Sequence, residues 1–451
     1  MKVITPVRRV ASAISILIAG AYFGACQKFT PAPLSAASSA ADFSSRSLSD
    51  PELRTYQAKS GNRPSGKIWT RRPVEAAAEF FQPEVAVARA KAATALDAIT
   101  TADTAPNPSL SFSPEIGQSA GVPSPWVLGF SLSFPIETAR KRQFRTAQAR
   151  LAANSAALAV TEAMFAARSA ARSVLLEMEA TTRRCAILSE QAEDYAEAVR
   201  GLRSLVDAGE VSRTDLLRTQ SLQSRAELDL SDARRLSQTS SARLAAAIGV
   251  PVSALGPYDF SYGSLEKSPE IPSTSRLRKA AMLQRPDVLA ALQDYAAADA
   301  ALRLEIAKQY PDLNLSPGYQ YDQGQSKWAL GIGITLPIDK NLGPIRAATA
   351  KRAEAAVLFQ QTQAKASGEL DQALAEVEAT RARIGQLDGI LASRQKEISL
   401  SEKLAATGET EASASILLKI QLRQDEISLL DARVALHQAL GMLEDATRTR
   451  F

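Results

Sequence analysis

The stretch Trp126-Val-Leu-Gly-Phe-Ser-Leu-Ser-Phe-Pro135-Ile136 returns 202 positions later as Trp328-Ala-Leu-Gly-Ile-Gly-Ile-Thr-Leu-Pro337-Ile338. Large apolar residues hold one parity: Trp126, Leu128, Phe130, Leu132 and Phe134, then Trp328, Leu330, Ile332, Ile334 and Leu336. Small or hydroxylated residues hold the other: Gly129, Ser131 and Ser133, then Ala329, Gly331, Gly333 and Thr335. Side chains on a strand alternate faces, so each copy reads as a strand with one greasy and one small, wettable face. That is the pattern of a water-filled transmembrane barrel wall, with the apolar set turned to lipid. On these residues alone, half-exposed hairpins of a soluble domain fit equally well.

Each copy is the second arm of an expected hairpin. Ser109 to Ile116 alternates Leu110, Phe112 and Ile116 with Ser109, Ser111, Ser113 and Glu115. Asp312 to Tyr321 alternates Leu313, Leu315, Tyr319 and Tyr321 with Asn314, Ser316, Gly318 and Gln320. The connections, Gly117 to Pro125 and Asp322 to Lys327, are rich in turn formers.

Outside the hairpins the chain is helical in character. Between Thr138 and Arg200 there is neither glycine nor proline, and good helix formers dominate. A single helix of that length would run on the order of 90–100 Å. Apolar positions seven apart (Leu151, Leu158, Phe165; Leu188, Tyr195, Leu202) mark a packing seam. Gly209 suits a helix end and Ser212 the cap of a return helix from about Arg213 to Ile248. The plan repeats: Ile345 to Ala406 with Ile384, Leu391 and Ile398 seven apart, a turn from Thr407 to Ser413, and a return from Ile416 to Leu443. Shorter helices precede each hairpin, from Pro83 to about Asp103 and from Pro286 to about Gln309. These landmarks recur in one order at offsets of 202 to 203, which reads as an internal duplication. The segments Phe29 to Pro73 and Gly249 to Ser275, rich in Pro, Gly and Ser, are expected to be irregular.

The 451-residue chain opens with Lys2, Arg8 and Arg9 followed by an apolar run from Val10 to Ala25, the pattern of a secretory signal. Cys26 follows Phe23-Gly24-Ala25 where a lipoprotein signal is cut, so acylation at Cys26 is expected; cleavage further on, in the Ser/Ala-rich 35–41 stretch, is the alternative. Removing the signal takes the net charge from +5 to about +2, which gives no case for nucleic acid. The only other cysteine is Cys185, so no disulfide framework is present. Charges of both signs are interleaved along the helical segments, as on solvated faces. The expected organisation is a signal at 1–25, an irregular segment at 26–75, a first repeat at 76–249, a linker at 250–279, a second repeat at 280–443 and a tail at 444–451.

Four strands cannot close a barrel, and open sheet edges are not tolerated in lipid. Three chains would give twelve strands, an even number within the range of known barrels. Helices approaching 100 Å must project into an aqueous compartment, since the hydrocarbon core is about 30 Å thick. The expected fold is mainly α, with a trimeric 12-stranded transmembrane β-barrel continued by a long α-helical barrel.

On these features the chain resembles the TolC family of outer-membrane efflux proteins, from about Ala76 to Leu443. The likeness rests on Pro106-Asn-Pro-Ser-Leu110, the Trp126 and Trp328 strands ending in Pro-Ile, the turns at Gly209 and Gly408, and Ala-x-x-Ala-Leu-Gly-like helix ends at Gly249 and Gly441. Arg285-Pro-Asp-Val288, Tyr310-Pro-Asp-Leu-Asn-Leu315 and Leu336-Pro-Ile-Asp-Lys-Asn-Leu-Gly-Pro344 look most like the heavy-metal-efflux, CzcC-like branch. The resemblance implies a homotrimer in outer-membrane lipid that serves as the passive duct of a tripartite pump. An RND-type inner-membrane transporter would drive it, and a periplasmic adaptor would dock on the helix-turn tips. Carried onto this chain, the tips are Ala208, Gly209, Glu210, Val211 and Ser212, and Thr407, Gly408, Glu409 and Ser413. Asp215 matches an acid that members place near the entrance. The second tip departs from the pattern: Thr410 stands where an arginine is usual, and Ala414 or Ser415 where an acid is. Glu409 and Glu411 could form a substitute acidic ring, since charged rings tune ion passage; a solvated tip without gating duty is the alternative.

Nothing in the residues points to catalysis or a cofactor. The single histidine, His437, falls inside the last helix and is expected to be structural, and the histidine and cysteine counts cannot furnish a zinc or copper cluster of standard ligands. Trp126, Trp328, Tyr319 and Tyr321 suit the lipid–water boundary, with simple packing an equal alternative for the two tyrosines. The rival reading from another class is a lipid-anchored periplasmic coiled-coil adaptor or scaffold.

Overall fold

The computed structural model describes residues 28–117, 125–336, 338–407 and 412–450, with the backbone alone at 406 and 412–414. Two compact units divide the chain between Arg46 and Ser47. The described part of the first is dominated by helix α1, Ala36–Ser45, capped by Ser35 and exposed throughout.

The second unit begins with two short helices where an irregular segment was expected. Helix α2 spans Pro51–Lys59, with Asp50 as its cap and Pro51 at its first position; α3 spans Arg71–Phe81. Proline in the first turn forfeits no intrahelical hydrogen bond, so Pro51 starts a helix instead of breaking one. Strand β1, Ile68–Trp69, pairs in parallel with β4, Asp259–Phe260.

Two repeats follow in the same order. The first comprises α4 (Pro83–Asp103), β2 (Ser109–Ile116), β3 (Trp126–Ile136), α5 (Lys141–Asp207) and α6 (Arg213–Ile248). After a linker holding a 3-10 turn, β4 and helix α7 (Thr274–Leu283), the second comprises α8 (Pro286–Ala307), β5 (Leu313–Asp322), β6 (Gln325–Ile334), α9 (Leu342–Ala406) and α10 (Ala412–Thr447). Helix α5 has 67 residues and so runs about 100 Å. Helices α4, α6, α8 and α10 all pack against it, and α9 pairs with α8 and α10. The seven-residue seams are buried where the helices meet: Leu188 and Tyr195 on α5, Leu391 and Ile398 on α9.

Both repeats turn from strand to helix through two consecutive left-handed residues, Ala139 and Arg140 in the first and Lys340 and Asn341 in the second. The first corner is tied to the start of β5. Thr138 Oγ1 donates to the Pro311 carbonyl at 2.5 Å, and Lys141 Nζ reaches Asp312 Oδ1 at 2.7 Å. In the second corner Asn341 Nδ2 donates to the Glu305 carbonyl at 2.8 Å.

The largest core cluster gathers Leu48, Leu53, Trp69, Val74, Ala77, Phe81, Leu175, Leu244 and Ile248, sealing the short N-terminal helices onto the middle of the long hairpin. Charges are buried here as well, against the expectation of solvated faces. Glu75 and Glu79 on α3 are 2 % and 1 % exposed. Arg71 pairs with Glu75 and Glu444, Arg168 with Glu79, and Arg172 with Glu444 at 3.0 Å and Asp445 at 2.7 Å. Buried charge survives only when paired, and each of these has an opposite charge in reach.

Gly441 is a further correction. It lies inside α10, which continues to Thr447 and so takes 444–447 out of the expected tail. A Cβ there would meet Arg172 Nε at 2.9 Å, so this glycine makes room for a guanidinium that bonds its carbonyl at 3.0 Å. Gly249, by contrast, does end its helix, at φ +88°.

Candidate functional site

The sheet that carries the repeated stretch is antiparallel throughout, in the order β2-β3-β5-β6. Its register decides what the two faces are. Leu110 sits opposite Leu132, Phe112 opposite Phe130 and Ile116 opposite Trp126. Phe130 is then opposite Tyr319, and Phe134 opposite Leu315. Leu315 is opposite Ile332, Pro317 opposite Leu330, and Tyr319 opposite Trp328. Directly paired residues share a face, so the apolar parity of every strand falls on one side of the whole sheet. Ring pairs lock it: Phe112 with Phe130 at 4.7 Å and Tyr319 with Trp328 at 5.0 Å between centroids.

The other side is small and polar. Ser111, Ser131 and Gly318 form one row, and Asn314 with Gly333 another, with Ser133 Oγ donating to Asn314 Oδ1 at 2.6 Å. Glu115 and an ion pair between Asp322 and Lys327 at 2.6 Å lie on this side near the hairpin turns. The apolar face is left largely open: Leu110, Phe112, Trp126, Phe130, Phe134, Leu330, Ile332 and Ile334 are exposed, and Trp328 is 84 % exposed. Each outer strand, β2 and β6, has a neighbour on one side only.

The second hairpin differs from its expected frame. Its turn is two residues long, Gln323 and Gly324, both with positive φ, so Gln325 to Lys327 join the strand. Strand β6 stops at Ile334 because its partner β5 starts at Leu313, opposite it. Leu336, expected on the apolar strand face, therefore lies past the strand and is exposed.

At the far end of the first repeat, the turn from α5 to α6 has the expected chemistry. Gly209 takes φ +77°, the Glu210 N–H returns to the Leu205 carbonyl at 2.9 Å, and Ser212 Oγ accepts from the Thr214 N–H at 3.1 Å. Nothing lies within 4 Å of a Cβ built on Gly209, so its need for glycine is purely conformational. Ala208, Glu210 and Ser212 are exposed, Val211 is half-buried, and Asp215 is exposed in the first turn of α6. Thr407 caps α9, its N–H donating to the Lys403 carbonyl at 3.2 Å. Cys26, Gly408, Glu409, Thr410 and Glu411 lie outside the described residues, and Ser413 is described in backbone only. The first turns of α10 pack near the same end of α5, with Ile416 and Ile420 against Tyr195 and Ala198. Arg423 reinforces that contact, reaching Glu190 at 2.7 Å and Asp194 at 3.3 Å.

His437 is buried, 3.2 Å from the Leu265 carbonyl and edge-on to Tyr262. Burial pushes its pKa below the ordinary histidine value, which favours the neutral ring. Among the described residues no three His, Cys, Asp or Glu side chains are grouped to hold a metal ion, and no helix is long and apolar enough to cross a membrane.

The arrangement is shared with known proteins. The family model "Outer membrane efflux protein" matches residues 78–250 and 277–447, one match per repeat. The cobalt-zinc-cadmium resistance protein CzcC of Cupriavidus metallidurans is 28 % identical over 179 residues, 39 % of this chain and 41 % of that protein, so the match spans less than half of that relative. Among solved structures, the outer membrane protein VceC of Vibrio cholerae aligns with a TM-score of 0.70 at 17 % identity, over 88 % of this chain and 98 % of VceC. The open state of the MtrE outer membrane channel of Neisseria gonorrhoeae aligns with a TM-score of 0.68 at 16 % identity, over 83 % and 88 % of the two chains. With both halves matched, and with the duplicated strand and helix hairpins those matches cover, the chain belongs to the outer membrane efflux protein family.

Proposed function

We propose that this chain is the outer-membrane duct of a tripartite efflux system, a passive conduit without catalytic chemistry of its own. One observation carries the reading: a four-stranded sheet with a continuous exposed apolar face, a small polar face and two unpaired edges. Strand edges left open in hydrocarbon would cost several kcal/mol per unpaired group, so the edges call for other copies of the sheet. Three copies give twelve strands, with β6 of each beside β2 of the next. The eleven residues of β3 run about 36 Å at about 3.3 Å each. Tilted by about 40°, they span about 28 Å, close to the hydrocarbon thickness. The apolar parity, Trp126 to Phe134 and Trp328 to Ile334, then faces lipid, and the serine–glycine rows line the pore.

The long helices extend this pore through the periplasm. Their turns at Ala208–Ser212 and Thr407–Ser413 are the docking tips for a periplasmic adaptor, which links the duct to an inner-membrane pump of the RND type. Cys26 is the point of lipid anchorage, and Asp215, Glu409 and Glu411 are the charges at the periplasmic mouth. The likeness to CzcC favours divalent metal cations as cargo, selected by the pump.

The test is reconstitution. The purified mature protein should run as a trimer in detergent and give single-channel current in planar bilayers. A monodisperse monomer, soluble without detergent, would end the reading and favour a periplasmic scaffold. For the cargo, deletion of the chain should sensitise cells to cobalt, zinc or cadmium; sensitivity confined to organic toxicants would remove metals.

A further inference from the structure

Midway along the helices, α7 and Thr449–Arg450 enclose an open cavity of about 600 Å³. Its wall includes Pro272, Arg276, Lys279, Gln284, Thr449 and Arg450, with no acidic residue among its lining. The other cations of this region have carboxylate partners. Arg278 reaches Asp371 at 2.9 Å, Arg285 holds Asp287 and Glu369 at 2.6 Å each, and Arg450 reaches Glu79 at 3.4 Å. Arg276 and Lys279 are exposed, and among the described residues neither is in an ion pair. Three positions apart on one helix, they share a face, where like charges repel. Folding gains nothing from that juxtaposition, which leaves two cations facing the cavity free to meet an external anion.

The position limits what that counter-charge can be. Leu277 of α7 packs on Leu370 and Ala373 of α9, 28 to 31 residues beyond the start of that helix at Leu342. At 1.5 Å per residue the cavity lies about 45 Å from the strands and about 50 Å from the turn at Thr407. Lipid headgroups are several Debye lengths away, and so is a partner seated on the tips. The volume falls in the range of sites that take multi-atom ligands and far exceeds that of a lone inorganic anion. A guanidinium fork suits a carboxylate, and Gln284 and Thr449 add neutral hydrogen-bonding groups beside it.

We infer that this cavity docks the carboxylate-bearing peptides of the cell wall, fastening the duct to the peptidoglycan layer as it passes through. The periplasmic placement rests on the channel reading; the fastening itself is separable from conduction. Purified insoluble sacculi serve as the probe, with detergent-solubilised full-length protein and sedimentation as the readout. Wild-type protein should co-sediment. Arg276→Glu with Lys279→Glu should lower the bound fraction about ten-fold, because two attractions become repulsions. Arg218→Glu, an exposed cation outside the cavity, should bind as wild type. Single-channel current of the double variant should be unchanged, which separates this result from failure of the channel reading. Should the double variant not assemble, wild-type protein on sacculi with amidated carboxyl groups decides, and loss of binding supports the inference. Undiminished binding to amidated sacculi, or equal sedimentation of a folded double variant, overturns it. So does a double variant that holds sacculi normally and loses only the adaptor protein.

Discussion

Phe130 and Ser131 are adjacent on β3 and face opposite sides of the sheet, so one substitution at each position interrogates the whole reading. Phe130 is the fifth of eleven residues of the strand, which is near mid-membrane in the proposed channel. It stands between Phe112 and Tyr319, with the Phe112 ring 4.7 Å away. An arginine on the lipid face at mid-depth costs about 2–4 kcal/mol, and the lost aromatic pair adds about 0.5–1.5 kcal/mol. Phe130→Arg should therefore cost about 2.5–5.5 kcal/mol per chain, a large part of the ~5–15 kcal/mol that keeps a typical domain folded. Ser131 stands between Ser111 and Gly318, small side chains that leave space for a long one. Ser131→Arg should fold within about 1 kcal/mol of wild type and instead narrow the pore with three added cations. Urea-dependent folding into liposomes measures the first effect and planar-bilayer conductance the second. Equal folding of the two variants, or destabilisation of Ser131→Arg with normal folding of Phe130→Arg, would refute the assignment of faces.

Two glycines with similar backbone angles should respond unequally to alanine. Gly209→Ala meets only the left-handed strain, about 1 kcal/mol, whereas Gly249→Ala also drives its Cβ to 2.9 Å from the Phe81 carbonyl oxygen and should cost about 2 kcal/mol or more by denaturant titration. Gly441→Ala should push the Arg172 guanidinium aside and loosen its bonds to the Gly441 carbonyl, Glu444 and Asp445, costing about 1 kcal/mol; combining it with Arg172→Met should be less than additive, and strict additivity would disprove the contact. Glu266 is held down to about 2 by the Ser264 hydroxyl, its own backbone N–H and Arg183. A depressed carboxylate contributes stability above its unfolded value, lost as pH falls from about 4.5 towards 2. Glu266→Gln should thus flatten the acid limb of the melting temperature against pH, and an unchanged limb would discount this group.

Much of this architecture was legible because its signals are local. Pro83, Ser212 and Gly249 punctuate helices at their true ends, and the bounds expected for β2, β3, α4 and α6 are those observed. What escaped detection depends on distant partners. Alternation continues through Leu336, but a strand lasts only as long as its neighbour, and β5 begins at Leu313. The prolines of 29–73 read as breakers, although Pro51 behind the Asp50 cap starts a helix. Glu75 and Glu79 look like solvated charges, yet their partners Glu444-bound Arg71, Arg168 and Arg450 converge from three separate parts of the chain. Gly441 resembles Gly249 in its local sequence, and only the position of Arg172 shows that one makes space and the other ends a helix.

The paired left-handed corners have a consequence for how such a tube is aimed. Ala139, Arg140 and Lys340 each hold a conformation that costs about 1–2 kcal/mol for an L residue, Asn341 one that asparagine adopts more readily, and the chain keeps all four. Glycine would relieve the tension at each bend, but it would also unlock the joint between ribbon and rod. Residues with side chains act there as stiff elbows, set at equivalent places in both halves, so that in the proposed channel the staves leave the hoop in a fixed direction.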